Sequence, residues 1–288
     1  ADKLTDADWS DHTGQSSSML VNSATWGLVL GKAVLGDSTS TLKRLIAKAG
    51  EPFVRQAVGA AMRLMGQVFV MGRDIDEAMK RMESKDNRGF TASFDMLGEA
   101  ARTKSDAERY FQSYAAAVAA VGRDPARGHS VSVKLSALHP RYETAQSANC
   151  VPELAAMVRE LARSAASLGV QLTVDAEEAA RLEMSLDIIE AVARDPALSG
   201  WDGLGMAVQA YSKRARPVLA WADALGRDTS RIMQVRLVKG AYWDSEIKHA
   251  QERGLRDFPL FTRKAATDVS YLACAKDMLA AGNIRPAF

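Results

Sequence analysis

From about residue 90 onward the apolar positions alternate between two spacings. Short runs with a period of two predict strands at residues 91–96, 130–135, 171–174, 204–209, 233–238, 259–262 and 284–288. The longer stretches between them repeat apolar residues at three and four, and predict helices. The first covers 105–121 and opens on a Ser105/Glu108 capping box. The second covers 152–168, with Pro152 in its first turn and Gly169 at its end. Helices at 185–194, 214–225, 244–253 and 268–281 follow, the last three closed by Gly226, Gly254 and Gly282. A strand-then-helix unit repeated six times and ending on a seventh strand implies parallel strands joined by helical crossovers.

Residues 1–85 have a different texture, helical with polar connectors. Leu42, Leu45, Ile46 and Ala49, then Phe53, Val54, Ala57, Val58, Ala61, Leu64, Met65 and Val68, fall on a helical stripe broken by Gly50 and Pro52. Asp74, Asp76 and Glu77 place acids where a helix starts, and the pattern then runs to Met82. The expected division is a helical region over 1–88 and an α/β unit over 89–288.

Parity within the strands separates the two parallel architectures. Val131, Val133 and Leu135 alternate with Ser132, Lys134 and Ser136; Leu172 and Val174 with Thr173, Asp175 and Glu177; Val208 with Ala207, Gln209 and Tyr211; Val235 and Leu237 with Gln234 and Arg236. One face is apolar and the other turns polar toward the C-terminal end of each strand. An open doubly wound sheet buries both faces under helices and reads apolar on both. A barrel packs only its outer face on helices and can turn its upper lumen into a site. No glycine-rich phosphate fingerprint opens any helix. The expectation is a (β/α)8 barrel of the TIM type preceded by a helical segment, the chain ending in its seventh strand.

Composition narrows the function classes. The 288 residues hold 37 Lys+Arg against 35 Asp+Glu, a net charge of +2, so no global field marks a nucleic-acid binder. Cys150 and Cys274, with His12, His129, His139 and His249, show no metal-ligand spacing, and a reducing cytoplasm fits so few cysteines. No apolar run approaches a membrane span. Position 1 is not Met and residues 1–12 are polar and acidic, so no signal peptide is expected and the chain reads as part of a longer protein.

Lys134, Asp175, Gln209 and Arg236 all fall at the same end of their strands. Desolvated together, such groups are costly unless they pair with one another or with a polar ligand. A lysine late in a strand can equally snorkel to water. Val238 to Trp243 puts a permissive Gly240 before two aromatics, either a platform for a flat ring or a small packed cluster. Thr262, Arg263 and Lys264 add cations at a helix start, where a solvated surface is the plain alternative.

The segments Asp95 to Glu99, Ser132 to Tyr142, Asp175 to Glu178, Gln209 to Tyr211 and Val235 to Lys248 resemble the proline dehydrogenase domain of the bacterial bifunctional proline utilization A flavoenzymes. The stretch from Asp8 to Leu28 is similar to the arm and helical region before the barrel in that family, which makes residues 1–88 a helical arm and α-domain. The resemblance implies a distorted (β/α)8 barrel that binds FAD, oxidises L-proline to Δ1-pyrroline-5-carboxylate and passes electrons to ubiquinone at the membrane surface. It implies a cytoplasmic protein peripherally associated with the inner membrane. It also implies an aldehyde dehydrogenase domain, which consumes the pyrroline carboxylate, elsewhere in the parent polypeptide. By position it makes Arg236 the arginine near flavin N5, Gln209 a flavin-edge partner, and Asp175, Ala176, Val238, Gly240 and Trp243 further cofactor contacts. Thr262, Arg263 and Lys264 become the cradle for the FAD phosphates or adenosine. Lys134 becomes the lysine near the substrate carboxylate, Tyr242 the pocket tyrosine, Asp175 the acid ordering the cluster, and Glu99 a gate that ion-pairs across the pocket. The family continues past Phe288 with a histidine that touches FAD, an eighth strand and a final substrate-binding helix. No nucleic-acid partner is expected in this segment. Two other readings of the residues are a barrel enzyme forming a Schiff base on Lys134 or Lys239, and a non-enzymatic docking scaffold.

Overall fold

The computed structural model describes residues 70–288 together with Gly59 and Gly66. The arm and most of the helical stripe expected before residue 70 lie outside the described residues. The chain divides into two compact units, Ala1–Ser84 and Lys85–Phe288. In the first, helix α1 (Ile75–Met82) starts where the acids predict it. The Asp74 carboxylate caps it by accepting the Glu77 amide proton at 2.8 Å.

The second unit is a single parallel sheet with helical crossovers. Its elements run β1 (Ser93–Asp95), α2 (Lys104–Val121), β2 (Ser130–Val133), the short α3 (Leu135–Leu138), α4 (Ser147–Ser167), β3 (Gln171–Val174), α5 (Leu182–Ala193), β4 (Leu204–Gln209), α6 (Ala215–Asp228), β5 (Met233–Val238), α7 (Trp243–Glu252), α8 (Lys264–Ala280) and β6 (Ile284–Ala287). Each strand pairs with its successor, so the spatial order is the chain order. Strictly sequential parallel order is the order of a (β/α) barrel, because every crossover steps one strand in the same direction.

One long-range contact shows how far the sheet curls. Arg236 on β5 donates to the Ser93 hydroxyl on β1 at 2.9 Å. In a flat sheet these strands, four steps apart, would be separated by roughly 19 Å at the usual ~4.8 Å spacing. The six strands therefore bend around a lumen without closing it. Along β5, Met233, Val235 and Leu237 are buried while Gln234, Arg236 and Val238 are half-buried, the alternation that the sequence predicts. Outside the sheet, α4 contributes Leu154, Val158 and Leu161 and α5 contributes Ile188, Ile189 and Val192 to one apolar layer.

The structure corrects four expectations. Residues 259–262 form no strand of the sheet. Leu260 makes an isolated antiparallel bridge to Ser212, the Lys213 amide donates to Pro259 O, and the Phe261 amide donates to Tyr211 O. The hydrogen bonds of this segment go to the loop after β4, and the free edge of β5 takes Ile284–Ala287 instead. The chain thus ends in the sixth strand, not the seventh. Helix α2 is capped by Thr103 and Asp106 in a reciprocal box, ahead of the pair expected from sequence. Gly226 lies inside α6 and not at its end; a Cβ there would come within 2.9 Å of Arg231 O and Asn283 O, so the glycine permits close approach of the segment entering β6. Finally, α4 starts at Ser147, continuing a 3-10 turn over Thr144–Gln146, which leaves Pro152 in its second turn.

Candidate active site at the C-terminal ends of the strands

Lys134 follows β2 directly and Asp175 follows β3, while Arg236 lies within β5. Pairing in register brings these strand ends to one rim. Lys134 Nζ lies 2.5 Å from Asp95 Oδ2 and 3.2 Å from Asp175 Oδ2. Arg236 Nη1 donates to Asp175 Oδ1 at 3.1 Å, and its other terminal nitrogen donates to Ser93 and to Ser132, at 2.6 Å for the latter. The two cations thus alternate with two carboxylates across β1, β2, β3 and β5. Lys134 and Asp175 keep only 16% and 12% of their side-chain surface exposed, too little for either to be a snorkelling surface group.

Burial tends to lower the Lys134 ammonium pKa, but its hydrogen bond to Asp95 and the charges of Asp175 and Asp95 outweigh this and hold it above the ordinary lysine value. Burial pushes the Asp175 carboxyl upward, against the pull of Lys134 and Arg236. The Lys134 amide donates to the hydroxyl of Tyr114, a fully buried tyrosine of α2 whose own pKa desolvation pushes up to about 12. Lysine backbone and ammonium are therefore both held.

A second layer fixes the loops that carry these groups. Glu177 accepts the Ser136 amide proton at 3.0 Å and the Arg181 guanidinium at 2.8 Å. The Gln209 carboxamide donates to Glu177 O at 2.9 Å and accepts the Ala241 amide proton at 3.0 Å, so it ties the loop after β3 to the loop after β5. Ala176 is half-buried in the first of these loops. Glu246 of α7 accepts the Ala179 amide proton and Arg214 donates to Ala179 O at 2.9 Å.

The remaining expected residues fall into a neighbouring group. Val238 ends β5 and its carbonyl accepts the Ala210 amide proton. Gly240 has φ of +149°, and a Cβ there would overlap the Tyr211 ring, so only glycine fits. Trp243 opens α7 and donates its indole N–H to Phe261 O. Lys239, Gly240, Trp243, Thr262, Lys264, Tyr211 and Thr267 enclose a cavity of about 280 Å³. Arg263, exposed, is the N-terminal cap position of α8. Desolvation, then the charge of Glu99, raises the Tyr242 hydroxyl well above its ordinary value. Glu99 itself is exposed in the loop after β1.

Sequence reasoning brought Lys134, Asp175, Arg236 and Gln209 to one rim, and the structure puts them there. It assigned no role to Asp95, Ser93, Ser132, Tyr114, Glu177, Tyr211 or Asp268. Asp95 could have been found, since it ends β1 as Lys134 and Asp175 follow β2 and β3.

The Proline dehydrogenase family model matches residues 78–288, and the model described as the DNA-binding domain of Proline dehydrogenase matches residues 1–69. The bifunctional protein PutA of Klebsiella aerogenes is 46% identical over 293 residues, covering 98% of this chain and 22% of that protein. The chain thus spans about a fifth of the length of that relative. A crystal structure of a point mutant of proline utilization A from Bradyrhizobium japonicum is 47% identical, with a TM-score of 0.74 over 99% of this chain and 30% of that one. Proline utilization A from Bdellovibrio bacteriovorus, inactivated by N-propargylglycine, is 26% identical, with a TM-score of 0.76 over 82% of this chain and 26% of that one. The fold shared with these structures is the distorted barrel that the resemblance implies, of the parallel barrel class that strand parity favours. The match over 1–69 counts against the expectation that no part of the sequence relates to nucleic acid, because a net charge summed over 288 residues does not describe one segment.

Proposed function

Because the chain belongs to the proline dehydrogenase family, we propose that it carries the FAD-dependent oxidation of L-proline to Δ1-pyrroline-5-carboxylate within a longer, bifunctional polypeptide. Residues 89–288 would form the catalytic barrel and residues 1–88 the helical arm and α-domain before it. The observation that carries this reading is the alternating cluster Asp95, Lys134, Asp175 and Arg236 inside the strand rim, beside the cavity at Gly240.

The residues fit a flavin nucleotide on three grounds. Arg236 presents a permanent cation on the lumen face. The missing Cβ at Gly240 lets a ring or chain approach the backbone, and Trp243 offers an aromatic surface 42% exposed. Lys239 and Lys264, with Thr262 between them in the cavity wall, supply the donors a diphosphate requires. In this reading Arg236, Asp175, Ala176, Gln209, Val238, Gly240 and Trp243 hold the flavin, and Thr262, Arg263 and Lys264 its phosphates. Bound there, the flavin supplies the two-electron acceptor for the hydride that leaves proline C5.

The chain's own part is positioning and charge. Lys134, kept protonated by Asp95 and Asp175, offers a point charge to the substrate carboxylate. Asp175 orients Lys134 and Arg236 toward each other. Tyr242 borders the substrate, and Glu99 gates it from the loop above. A Schiff base on Lys134 is disfavoured because a lysine held protonated is a poor nucleophile. Ubiquinone at the inner membrane is the proposed electron acceptor and the aldehyde dehydrogenase domain the proposed consumer of the product. Among the described residues no helix is long and apolar enough to cross a membrane. The proposed attachment is peripheral, from the cytoplasm, as the resemblance implies. The test is absorbance. The full-length protein should be yellow and should bleach when proline is added without an acceptor. A colourless protein that takes up no FAD, or a flavin that proline does not reduce, overturns the reading.

A further inference from the structure

Lys239 and Lys264 share one carboxylate. Lys239 Nζ lies 2.5 Å from Asp268 Oδ1 and Lys264 Nζ lies 2.7 Å from Asp268 Oδ2. Asp268 belongs to the first two turns of α8, whose N-terminal cap residue Arg263 makes no side-chain cap hydrogen bond. Both lysines line the 280 Å³ cavity. So does the Tyr211 ring, which is 6% exposed and packs against Gly240. A cavity with two lysine ammonium groups in its wall and a backbone open at Gly240 suits a polar, anionic guest.

We infer that Asp268 is an internal counter-anion for this cavity, a residue that sets cofactor affinity because an entering diphosphate must draw Lys239 and Lys264 away from it. The inference rests on the reading of the cavity as the cofactor's phosphate site. Two lysines and one aspartate leave a local charge of one positive unit, and without the aspartate there are two. The lysines hold the Asp268 carboxyl below its ordinary range, so near neutral pH it is ionised, as a diphosphate is. An incoming diphosphate therefore meets a like charge within one side chain's length of each lysine it needs. Asp268 contributes the opposite effect as well, since it orders two long, flexible side chains. Repulsion outweighs that ordering here, because both lysine side chains are more than half exposed and a diphosphate would order them itself. Asp268 in this role keeps the empty cavity from collecting stray anions, and makes binding depend on ionic strength.

The test is titration of full-length, cofactor-stripped protein with FAD and with riboflavin, which has no phosphate, read by flavin fluorescence at low and high ionic strength. Asp268→Asn should bind FAD about fivefold more tightly at low ionic strength, the scale of one exposed ion pair. The gain should shrink in high salt and riboflavin affinity should stay unchanged. Asp268→Ala, a strong helix former at this position in the second turn of α8, should show the same sign, guarding against a folding defect of one variant. In a Lys239→Gln, Lys264→Gln background the Asp268→Asn gain should vanish. Unchanged or weaker FAD binding by both Asp268 variants, or a gain that survives loss of the lysines, overturns the inference while leaving the site reading intact. Failure of the unaltered protein to bind FAD overturns the site reading itself, and the inference with it.

Discussion

Arg236 and Asp175 meet above β4, Nη1 to Oδ1 at 3.1 Å, although the strand between theirs separates them. The β4 residue in register with Arg236 is Ala207, whose small side chain leaves the guanidinium room to pass over. Two further polar groups depend on that arginine's planar fork, because it also reaches Ser93 and Ser132.

Arg236→Lys keeps the charge but can satisfy only part of this set, and Arg236→Met satisfies none. Flavin affinity and the rate of flavin reduction by proline should fall in the order wild type, lysine, methionine, the methionine variant losing tenfold or more in rate, about 1.4 kcal/mol. Titration of apoprotein with FAD and stopped-flow absorbance measure the two quantities. A methionine variant equal to wild type in both would remove Arg236 from the site.

Lys134 and Asp175 each have a second partner, Asp95 for the lysine and Arg236 for the aspartate. Deleting the lysine therefore leaves no uncompensated buried charge. Lys134→Ala should cost about 1.5–3 kcal/mol, the scale of a charged hydrogen bond, in place of the larger penalty of an orphaned ion. Its main effect should be a raised KM for proline with flavin content preserved. Tyr114→Phe removes the acceptor of the Lys134 amide without touching the ammonium, and should cost about 1–3 kcal/mol with a smaller rise in KM. Thermal melts run beside proline titrations separate the two effects. An unchanged KM in Lys134→Ala would return that lysine to a structural role.

What was legible before the structure followed from parity. A polar residue at the end of an otherwise apolar strand face marks the rim, and that rule locates Lys134, Asp175, Gln209 and Arg236 from spacing alone. It fails at 259–262, whose pattern fits a strand but whose hydrogen bonds go to the loop after β4, a partner no local pattern reveals. It puts Glu177 on the polar parity of its strand without giving it a partner, and it misses Asp268. Glu177 turns inward after its strand has ended, held by Ser136 and Arg181. Asp268 reads as an ordinary acid near a helix start until Lys239, 29 residues earlier, is seen beside it. Gln209 was placed correctly, yet its bonds to Glu177 and Ala241, each 32 residues away, exist only once β3, β4 and β5 lie side by side.

Gly240 joins the strand that carries Arg236 to the turn that carries Tyr242 and Trp243. Gly240→Ala would force a side chain into a left-handed backbone and into the Tyr211 ring together. The expected cost is about 1–3 kcal/mol of stability for the backbone strain alone. Displacement of the turn should also weaken flavin binding while Lys134→Ala does not. Thermal melts and flavin occupancy after purification report the two effects, and an alanine variant with normal occupancy would mean that the turn does not border the cofactor.

His129 supplies the pH dependence. It is 4% exposed, its Nδ1 accepts the Ala92 amide proton at 3.0 Å, and its ring meets Phe94 edge-on. Burial, reinforced by the charge of Arg127, lowers its pKa below the ordinary 6.5. Its folded-state pKa is thus depressed, so the unfolded chain takes up the proton first as pH falls. The stability it contributes is complete above about 6.5 and is lost as pH drops from there through the folded value. Protonation at Nδ1 also removes the acceptor of the Ala92 amide at the entrance to β1, worth about 0.5–1.5 kcal/mol as one hydrogen bond. His129→Gln keeps an uncharged acceptor at every pH. Its melting temperature should be lower than wild type at pH 8 because the ring packing is lost, and should fall less steeply between pH 7 and 5. Identical slopes for the two proteins over that window would show that another group governs the acid limb.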